Sequence, residues 1–303
     1  MSSRLFPKHV TFPRHVSTGI FFVIAFSGWL ISVLGAPFPP LYPDRAPFDQ
    51  AIRESNGEAL SQPVTGITVP HHLLAIDLIA DVFQRIRNLS CRRIIILGPD
   101  HFSRSVTPFA VCDRDLMTCC GLVRIASSDV GELLKLPLVS SSSLFFHEHA
   151  VQAVVPFCAR FFPDIPVLAI AIRNNSRRSD WDALYNLLAP LAGTGTLVIQ
   201  STDFSHFLAA SEARKCDQET LSVLGSQNAT RAGELSQPRN IDSRGALYLQ
   251  MRLQREVSRA VPMVLANRNS QEYSPLPVAR TTSYIVALYF PISLSSPDMP
   301  GNR

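Results

Sequence analysis

The sequence contains little charge and no strong polar bias. Charged residues make up 17% of the 303 residues and hydrophobic residues 46%, so the chain differs from disordered chains and can bury a large core. The formal net charge is +4, but Arg4, Lys8 and Arg14 supply three of these charges, and residues 37–303 carry only +1. Such a near-neutral body lacks the basic patch of a nucleic-acid-binding protein, so we expect no nucleic-acid partner.

Paired C-x-x-C motifs, internal repeats and low-complexity arrays are also missing. Without a C-x-x-C pair, the six cysteines do not indicate a zinc ribbon. A domain of this size does not need disulfide bonds, and at most one is expected even if the chain is exported. One large domain is the simplest organisation.

The first 36 residues predict a targeting segment. Basic residues up to Arg14 precede an uncharged apolar run, Gly19 to Ala36, and such a run is expected to enter a membrane. Because basic flanks stay in the cytoplasm, the following residues should face the periplasm of a bacterium. Three alternatives remain open: an uncleaved anchor with residues 18–36 in the membrane, a cleaved signal, and a buried core helix.

Domain boundaries are predicted from proline content and from hydrophobic patterning. Residues 37–62 predict an extended spacer, because five prolines between Ala36 and Pro47 disfavour both helix and sheet. Residues 63–292 are predicted to form the folded domain, and residues 293–303 are predicted to form a loose tail. In the domain, β-branched runs alternate with helix-like stretches, which indicates a layered α/β fold with a central sheet flanked by helices. Three almost wholly apolar runs predict central strands: Ile94 to Leu97, Val167 to Ile172 and Leu197 to Gln200.

Six of the eight histidines lie just after predicted strands or at the start of a helix predicted to end near Phe162. They fall into four clusters with acidic neighbours: His71 and His72; Asp100 and His101; His147, Glu148 and His149; Asp203 and His206. In open α/β sheets, ligands bind beyond the carboxyl ends of the strands, so these side chains can meet in one pocket.

Several of these residues also have purely structural explanations. His72 can pack against the next helix or cap it, and Asp100 can fix its loop by accepting hydrogen bonds from backbone amides. Asp203 can be a helix N-cap. Glu148 near a helix start suits the helix dipole without any catalytic role. Sequence alone leaves these alternatives open.

Four segments together form a specific pattern: VPHHLLA at Val69 to Ala75, ILGPDHF at Ile96 to Phe102, EHAVQAVVPF at Glu148 to Phe157 and STDFSHF at Ser201 to Phe207. In their order and approximate separations they resemble the Memo family, which includes the bacterial AmmeMemoRadiSam system protein B. Over residues 63–290, the resemblance implies the fold of the class III extradiol dioxygenases, whose pocket holds non-haem iron. It does not imply their activity.

The resemblance also implies roles for individual residues. His71 and His101 match the family's two metal-binding histidines, and His206 matches the acid or base histidine of the dioxygenases. Asp242 lies in the segment NIDSRGAL, where some members place a cysteine, and would complete the two-histidine, one-carboxylate triad of non-haem Fe(II) enzymes. An N-cap of the following helix is the alternative role for Asp242. The other implied pocket residues are Glu148, His149 and Asp203.

These residues predict a divalent metal, with Fe(II) favoured and Zn, Mn or Cu also compatible with the ligands. One function is a dioxygenase-like oxidoreductase in which His206 moves protons beside the metal. A second is a non-catalytic module that binds a metal or a peptide in the same pocket. Metal-assisted hydrolysis is a third. The expected ligand is accordingly a small molecule or a peptide.

Overall fold

Helical and extended segments alternate along residues 35–292, the part of the chain that this computed structural model describes. The strands are β1 (Gly66–Val69), β2 (Arg93–Asp100), β3 (Phe109–Val111), β4 (Leu116–Thr118), β5 (Gly121–Val123), β6 (Val139–Ser141), β7 (Val167–Arg173), β8 (Thr196–Ser201), β9 (His206–Leu208), β10 (Ala260–Asn269) and β11 (Thr281–Pro291). The α-helices are α1 (Ala46–Glu54), α2 (Ile76–Arg85), α3 (Ser127–Leu133), α4 (His149–Gln152), α5 (Val155–Phe161), α6 (Arg178–Leu188), α7 (Ala210–Ser226) and α8 (Arg244–Arg252). Short 3-10 turns occupy Leu73–Ala75, Ser143–Phe146, Ala229–Glu234 and Ser270–Tyr273, and a π-helical turn, Leu253–Val257, continues α8.

Nine of these strands form one sheet in the order β10-β11-β1-β8-β2-β7-β3-β6, with β9 paired beside β11. The four strands β1, β8, β2 and β7 are parallel to one another. Towards the two edges, β11 runs antiparallel to β1 and β3 runs antiparallel to β7. The remaining two strands, β4 and β5, form a separate hairpin. The predicted layered α/β fold with a central sheet flanked by helices is therefore confirmed.

The central strands are buried on both faces. Every residue of β8 is buried, and so is every residue of β2 except Arg93. Side chains alternate between the two faces of a strand, so complete burial requires cover on both sides, which explains the continuous apolar runs. Helix α2 supplies part of this cover, and its Phe83 ring stacks on Phe157 of α5 at 5.3 Å between centroids.

The helix predicted from Glu148 to Phe162 is two helices. Helix α4 ends at Gln152, and α5 begins at Val155 with Pro156 in its first turn. A proline there needs no hydrogen-bond acceptor, whereas inside one continuous helix its missing N–H and its ring would disrupt the preceding turn. The break separates the short helix that carries His149 from the core helix α5.

The structure differs from the expectation that residues 37–62 form an extended spacer. Helix α1 lies in this segment, and Pro47 occupies its first turn, where proline is tolerated. The side chains of Phe38 and Phe48 are buried in the core, and Phe48 packs on Phe157 at 5.5 Å between ring centroids. The compact unit therefore begins at Gly35 rather than near Pro63.

The predicted membrane anchor is not supported by the part of the chain that the structure describes. Among residues 35–292, no helix is both long and apolar enough to cross a membrane. The apolar run on which the prediction depended lies outside the described residues, apart from Gly35 and Ala36. The predicted tail, residues 293–303, also lies outside them.

Candidate metal centre at the carboxyl ends of the parallel strands

The candidate site lies where three neighbouring parallel strands end. Strand β8 lies between β1 and β2, and all three run in the same direction. His71 follows the end of β1 by two residues, Asp203 follows the end of β8 by two, and His101 directly follows β2. The sheet topology therefore brings together groups that are up to 132 residues apart in the chain.

Three histidines, His71, His101 and His149, converge at this edge, with one nitrogen of each within 4.8 Å of the others. The His101 and His149 rings stack with 4.0 Å between centroids. The His71 ring stands edge-on to both, at 4.9 Å from each. His71 is fully buried, whereas the other two are partly exposed, so the cluster opens to solvent on one side.

A glycine in β2 allows this close approach. A Cβ atom at Gly98 would lie 2.9 Å from the Cβ of Ala150 in α4 and 3.3 Å from the carbonyl oxygen of Ser201. Contacts this short would force the start of α4 away from the sheet. The absence of a side chain at Gly98 therefore keeps His149 against His101.

Asp242 lies beside two of the three histidines. Its Oδ2 is 3.2 Å from Nε2 of His71 and 3.7 Å from Nε2 of His101. The alternative role as a helix N-cap is not what the structure shows, because Ser243 caps α8 by accepting a hydrogen bond from the amide of Ala246. The carboxylate of Asp242 is thereby directed at the imidazoles.

Glu148 orients His101 and also caps a helix. Its carboxylate accepts hydrogen bonds from the His101 backbone amide at 3.0 Å and from the Ala150 amide, and it pairs with Nδ1 of His101 at 2.7 Å. This contact leaves Nε2 of His101 directed towards Asp242. One carboxylate therefore both orients His101 and caps α4.

Asp203 does not cap a helix but links two parts of the site. Its Oδ1 accepts a hydrogen bond from the His71 amide at 3.1 Å, and its Oδ2 lies 3.8 Å from Nε2 of the same histidine. The Asp203 amide donates to Oδ2 of Asp242 at 2.9 Å, and the Asp242 amide donates to the Asp203 carbonyl. These reciprocal bonds fix the position of Asp242 relative to β8.

The charges around the three histidines, together with burial, shift the pKa values of all three imidazoles. Burial lowers the pKa of His101, but the hydrogen bonds and negative charges of Asp242 and Glu148 outweigh burial and raise it to about 10. The pKa of His71 is likewise raised, since Asp203 and Asp242 outweigh its burial. Burial and the charges of His71 and His101 lower the pKa of His149 to about 3. Without a metal, His101 therefore holds a second proton at neutral pH, whereas His149 does not.

Two buried atoms in the site lack hydrogen-bond partners among the described residues: Nε2 of His71 and Oδ1 of Asp242. The 3.2 Å contact between these two residues involves the other carboxylate oxygen and does not have hydrogen-bond geometry. An unpaired buried polar atom is costly. A divalent cation bound by imidazole nitrogens and a carboxylate would satisfy both atoms, so this donor set fits a metal.

The remaining histidines of the predicted clusters lie outside this convergent group. His72 pairs through Nδ1 with the hydroxyl of Tyr284 at 2.7 Å, and His147 is exposed. His206 lies in β9 opposite Thr282 of β11, partly exposed, with Nδ1 buried and unpaired among the described residues.

Asp100 has the structural role considered from sequence. It accepts hydrogen bonds from the backbone amides of Arg104 and Ser105, which fix the loop after β2.

Sequence reasoning missed a contribution from the segment before α1. Gln152 of α4 accepts a hydrogen bond from the Leu41 amide and donates to the Pro39 carbonyl, both at 3.3 Å. Next to this contact, burial and the charges of Glu148 and Asp203 raise the pKa of Tyr42. Because the segment is rich in proline, its composition predicted a spacer rather than a contact with α4. The only sequence feature that disfavoured a spacer was the alternation of prolines with large apolar side chains.

A family model described as Memo-like protein matches residues 48–279. A MEMO1 family protein of Aquifex aeolicus (strain VF5) is 25% identical over 166 residues, or 52% of this chain and 60% of that protein. A MEMO1 family protein of Archaeoglobus fulgidus is 23% identical over 139 residues, or 45% of this chain and 53% of that protein. The chain thus spans between about half and three fifths of the length of these relatives.

Among solved structures, the chain is similar to the crystal structure of an uncharacterized protein from Escherichia coli K12. The TM-score is 0.46 at 12% sequence identity, and the match covers 73% of this chain and 98% of that chain. A likeness at this TM-score carries no argument about function.

Proposed function

Since the chain belongs to the Memo family, we propose that its histidine cluster binds one divalent metal ion, Fe(II) in preference to Zn, Mn or Cu, and supports a dioxygenase-like oxidation. The observation that supports this most is the pair of buried, unpaired atoms, Nε2 of His71 and Oδ1 of Asp242, beside two further imidazoles. Most buried polar atoms have a hydrogen-bond partner, so two unpaired atoms on adjacent side chains favour a bound ion.

In this proposal His71, His101 and Asp242 hold the ion. Two histidines and one carboxylate on one side of an ion form the facial triad of non-haem Fe(II) oxygenases, which leaves other positions open. When bound there, Fe(II) supplies the chemistry by which dioxygen reacts with a dihydroxy-aromatic or similar substrate. His149 provides a further neutral nitrogen at the exposed side of the cluster, where it can contact a ligand.

The other residues position groups and move protons. Glu148 holds the His101 ring through Nδ1, so that Nε2 is presented to the metal. Asp203 fixes the backbone beside His71 and Asp242. His206, three residues after Asp203, has the unpaired Nδ1 described above, and we assign it the transfer of protons to and from the substrate.

The test is an anaerobic titration of the purified chain with Fe(II), followed by addition of dioxygen and a catechol. We expect one tightly bound iron per chain and oxygen consumption that depends on both iron and catechol. His206→Ala should bind iron almost normally but lose oxygen consumption by about 100-fold or more, which is typical of a lost acid or base. The matched control is His147→Ala, because His147 is exposed and outside the cluster.

Three outcomes would count against parts of this proposal. Iron bound without oxygen consumption would remove the oxidoreductase and leave a metal- or peptide-binding module. Loss of iron in His206→Ala as complete as in His71→Ala would show that His206 is a ligand. No specific binding of Fe(II), Zn(II), Mn(II) or Cu(II) would remove the metal site itself.

A further inference from the structure

The hairpin formed by β4 and β5 presents two adjacent thiols, Cys119 and Cys120, away from the histidine cluster. Their Sγ atoms lie 3.9 Å apart, and both side chains are partly exposed. All six cysteines lie among residues 35–292, and within this range none forms a disulfide bond. Cys112, Cys158 and Cys216, by contrast, are buried.

The hairpin has a fixed shape. At its tip, Thr118 Oγ1 accepts a hydrogen bond from the Cys120 amide at 3.0 Å and donates to the Gly121 carbonyl at 2.7 Å. Gly121 has φ +135°, a conformation that side chains rarely allow, and a Cβ atom there would lie 3.9 Å from the Cβ of Ala159 in α5. The hairpin is also tied to the amino-terminal segment, because the Met117 amide donates to the Phe38 carbonyl at 2.8 Å. The two thiols are therefore held side by side.

We propose that Cys119 and Cys120 form a second metal site, which binds a soft, thiophilic cation through both sulfurs. Two thiolates bound to one ion at about 2.3 Å, with a tetrahedral or trigonal angle between them, are about 3.8 to 4.0 Å apart. The observed separation of 3.9 Å matches this range without movement of the backbone. Soft sulfur ligands select ions such as Cu(I) and Zn(II) over harder ions.

Local charge favours a monovalent ion. Arg45 and Arg160 act on the Cys120 thiol as positive charges and Asp49 as a negative one, and Arg45 already pairs with Asp49 at 3.0 Å. The unbalanced neighbour is thus the cation Arg160. Two thiols that bind Cu(I) release two protons and, with one neutral third ligand that completes the trigonal geometry, form a complex of charge −1, which this arginine would stabilise. The same ligands around Zn(II) are neutral and gain no such attraction.

Thiol protons are not easily lost without a metal. Burial, together with the neighbouring sulfur, raises the pKa of Cys119 to about 12, and burial also raises the pKa of Cys120. The pair is therefore a poor nucleophile at neutral pH, whereas a bound metal ion displaces thiol protons directly. Metal binding, rather than reaction of a free thiolate, is the chemistry that this environment favours.

The test is an anaerobic titration of the full chain with Cu(I) in competition with bicinchoninate, followed by ultraviolet absorption. Only sulfur ligands give the thiolate-to-Cu(I) charge-transfer band, so binding at the histidine cluster does not contribute to it. We expect one equivalent of Cu(I) to produce the band. The double variant Cys119→Ser/Cys120→Ser should lack the band and bind Cu(I) at least about 100-fold more weakly. Cys91→Ser is the matched control, because Cys91 is also partly exposed, and it should retain the band.

A second measurement uses phenylarsine oxide, which forms a stable ring only when two thiols reach one arsenic atom and release one water. The parent chain should bind one equivalent, and Cys119→Ser and Cys120→Ser should each bind none. Thermal unfolding shows whether each variant is folded. If the double variant is not folded, either single variant replaces it in both measurements. An unchanged Cu(I) band in the double variant, or a parent chain that binds no phenylarsine oxide, would overturn the proposal.

Discussion

The histidine cluster and the cysteine hairpin hold their side chains in different ways. The cluster and its carboxylates come from five separate segments between residues 71 and 242, and most of the group is buried. The hairpin places two neighbouring residues at a partly exposed tip. Because the cluster depends on contacts between distant segments, each of its residues is coupled to the others, whereas the two thiols of the hairpin are neighbours in the chain.

The largest effect is expected for His71→Ala. Nε2 of His71 is buried without a partner and faces Asp242, so its removal should weaken Fe(II) or Zn(II) binding by at least about 100-fold. Isothermal titration of the apo-protein measures this change, and His147→Ala is the control. Binding of Cu(I) at the hairpin should not change. Parent-like affinity in His71→Ala would show that the cluster is a network of ion pairs rather than a metal site.

Asp242→Asn should have the next largest effect, because it removes a ligand charge but keeps the side-chain shape. We expect metal affinity to fall by about 10- to 100-fold. Without metal, the structure predicts some loss of stability as well, about 1 to 3 kcal/mol at neutral pH, since the buried carboxylate lies beside the imidazoles of His71 and His101.

The same variant has an expected pH dependence. Since the pKa of His101 is raised to about 10 in the folded chain, the parent's stabilisation is complete below pH 6.5, the ordinary value, and is lost as the pH rises through about 10. The difference in melting temperature between parent and Asp242→Asn should therefore shrink over that range. A constant difference would show that His101 is not the titrating partner.

Glu148→Gln should reduce metal affinity by about 10-fold, as is usual when a group that orients a ligand loses its charge. The glutamine oxygen can still accept from the Ala150 amide, so the cap of α4 remains. The pKa of His101, followed by NMR, should fall below that of the parent. Metal affinity unchanged in this variant would mean that Glu148 acts only as a cap.

Ser243→Ala should have the smallest effect on metal affinity. It tests whether the N-cap of α8 and the metal site are independent. Loss of the Ser243 hydroxyl removes the N-cap of α8, which should reduce the free energy of unfolding by about 1 kcal/mol. Metal affinity should remain within about twofold of the parent, because the hydroxyl contacts the Ala246 amide and not the histidines. A larger loss of metal than in Asp242→Asn would reverse the roles of these adjacent residues.

Much of the central sheet could be predicted from the sequence, because buried parallel strands leave continuous apolar runs such as Ile94 to Leu97. The placement of polar clusters after these strands also indicated where a site would lie. Helix α7 was not predicted, since it has few buried side chains and a mostly polar composition. The short strands β3 to β6 were also missed, because three residues are too few to establish a period.

The roles of adjacent polar residues could not be separated from the sequence. Asp242 and Ser243 both belong to residue types that are common at helix N-caps. The first helical residue determines which of them is the N-cap of α8, and its position depends on packing. Proline content likewise suggested a spacer where α1 forms, because sequence does not show that Phe38 and Phe48 have a core to enter.

The position of β8 also has a consequence for how the chain is made. This strand pairs with both β1 and β2, yet it is synthesised about a hundred residues after β2. Until it leaves the ribosome, β2 has one edge with no strand to pair with and β1 has two, because β11 is made later still. Such edges promote association with other chains. Asp203 and Asp242 follow later still. A growing chain therefore cannot complete this centre before Asp242 has been made.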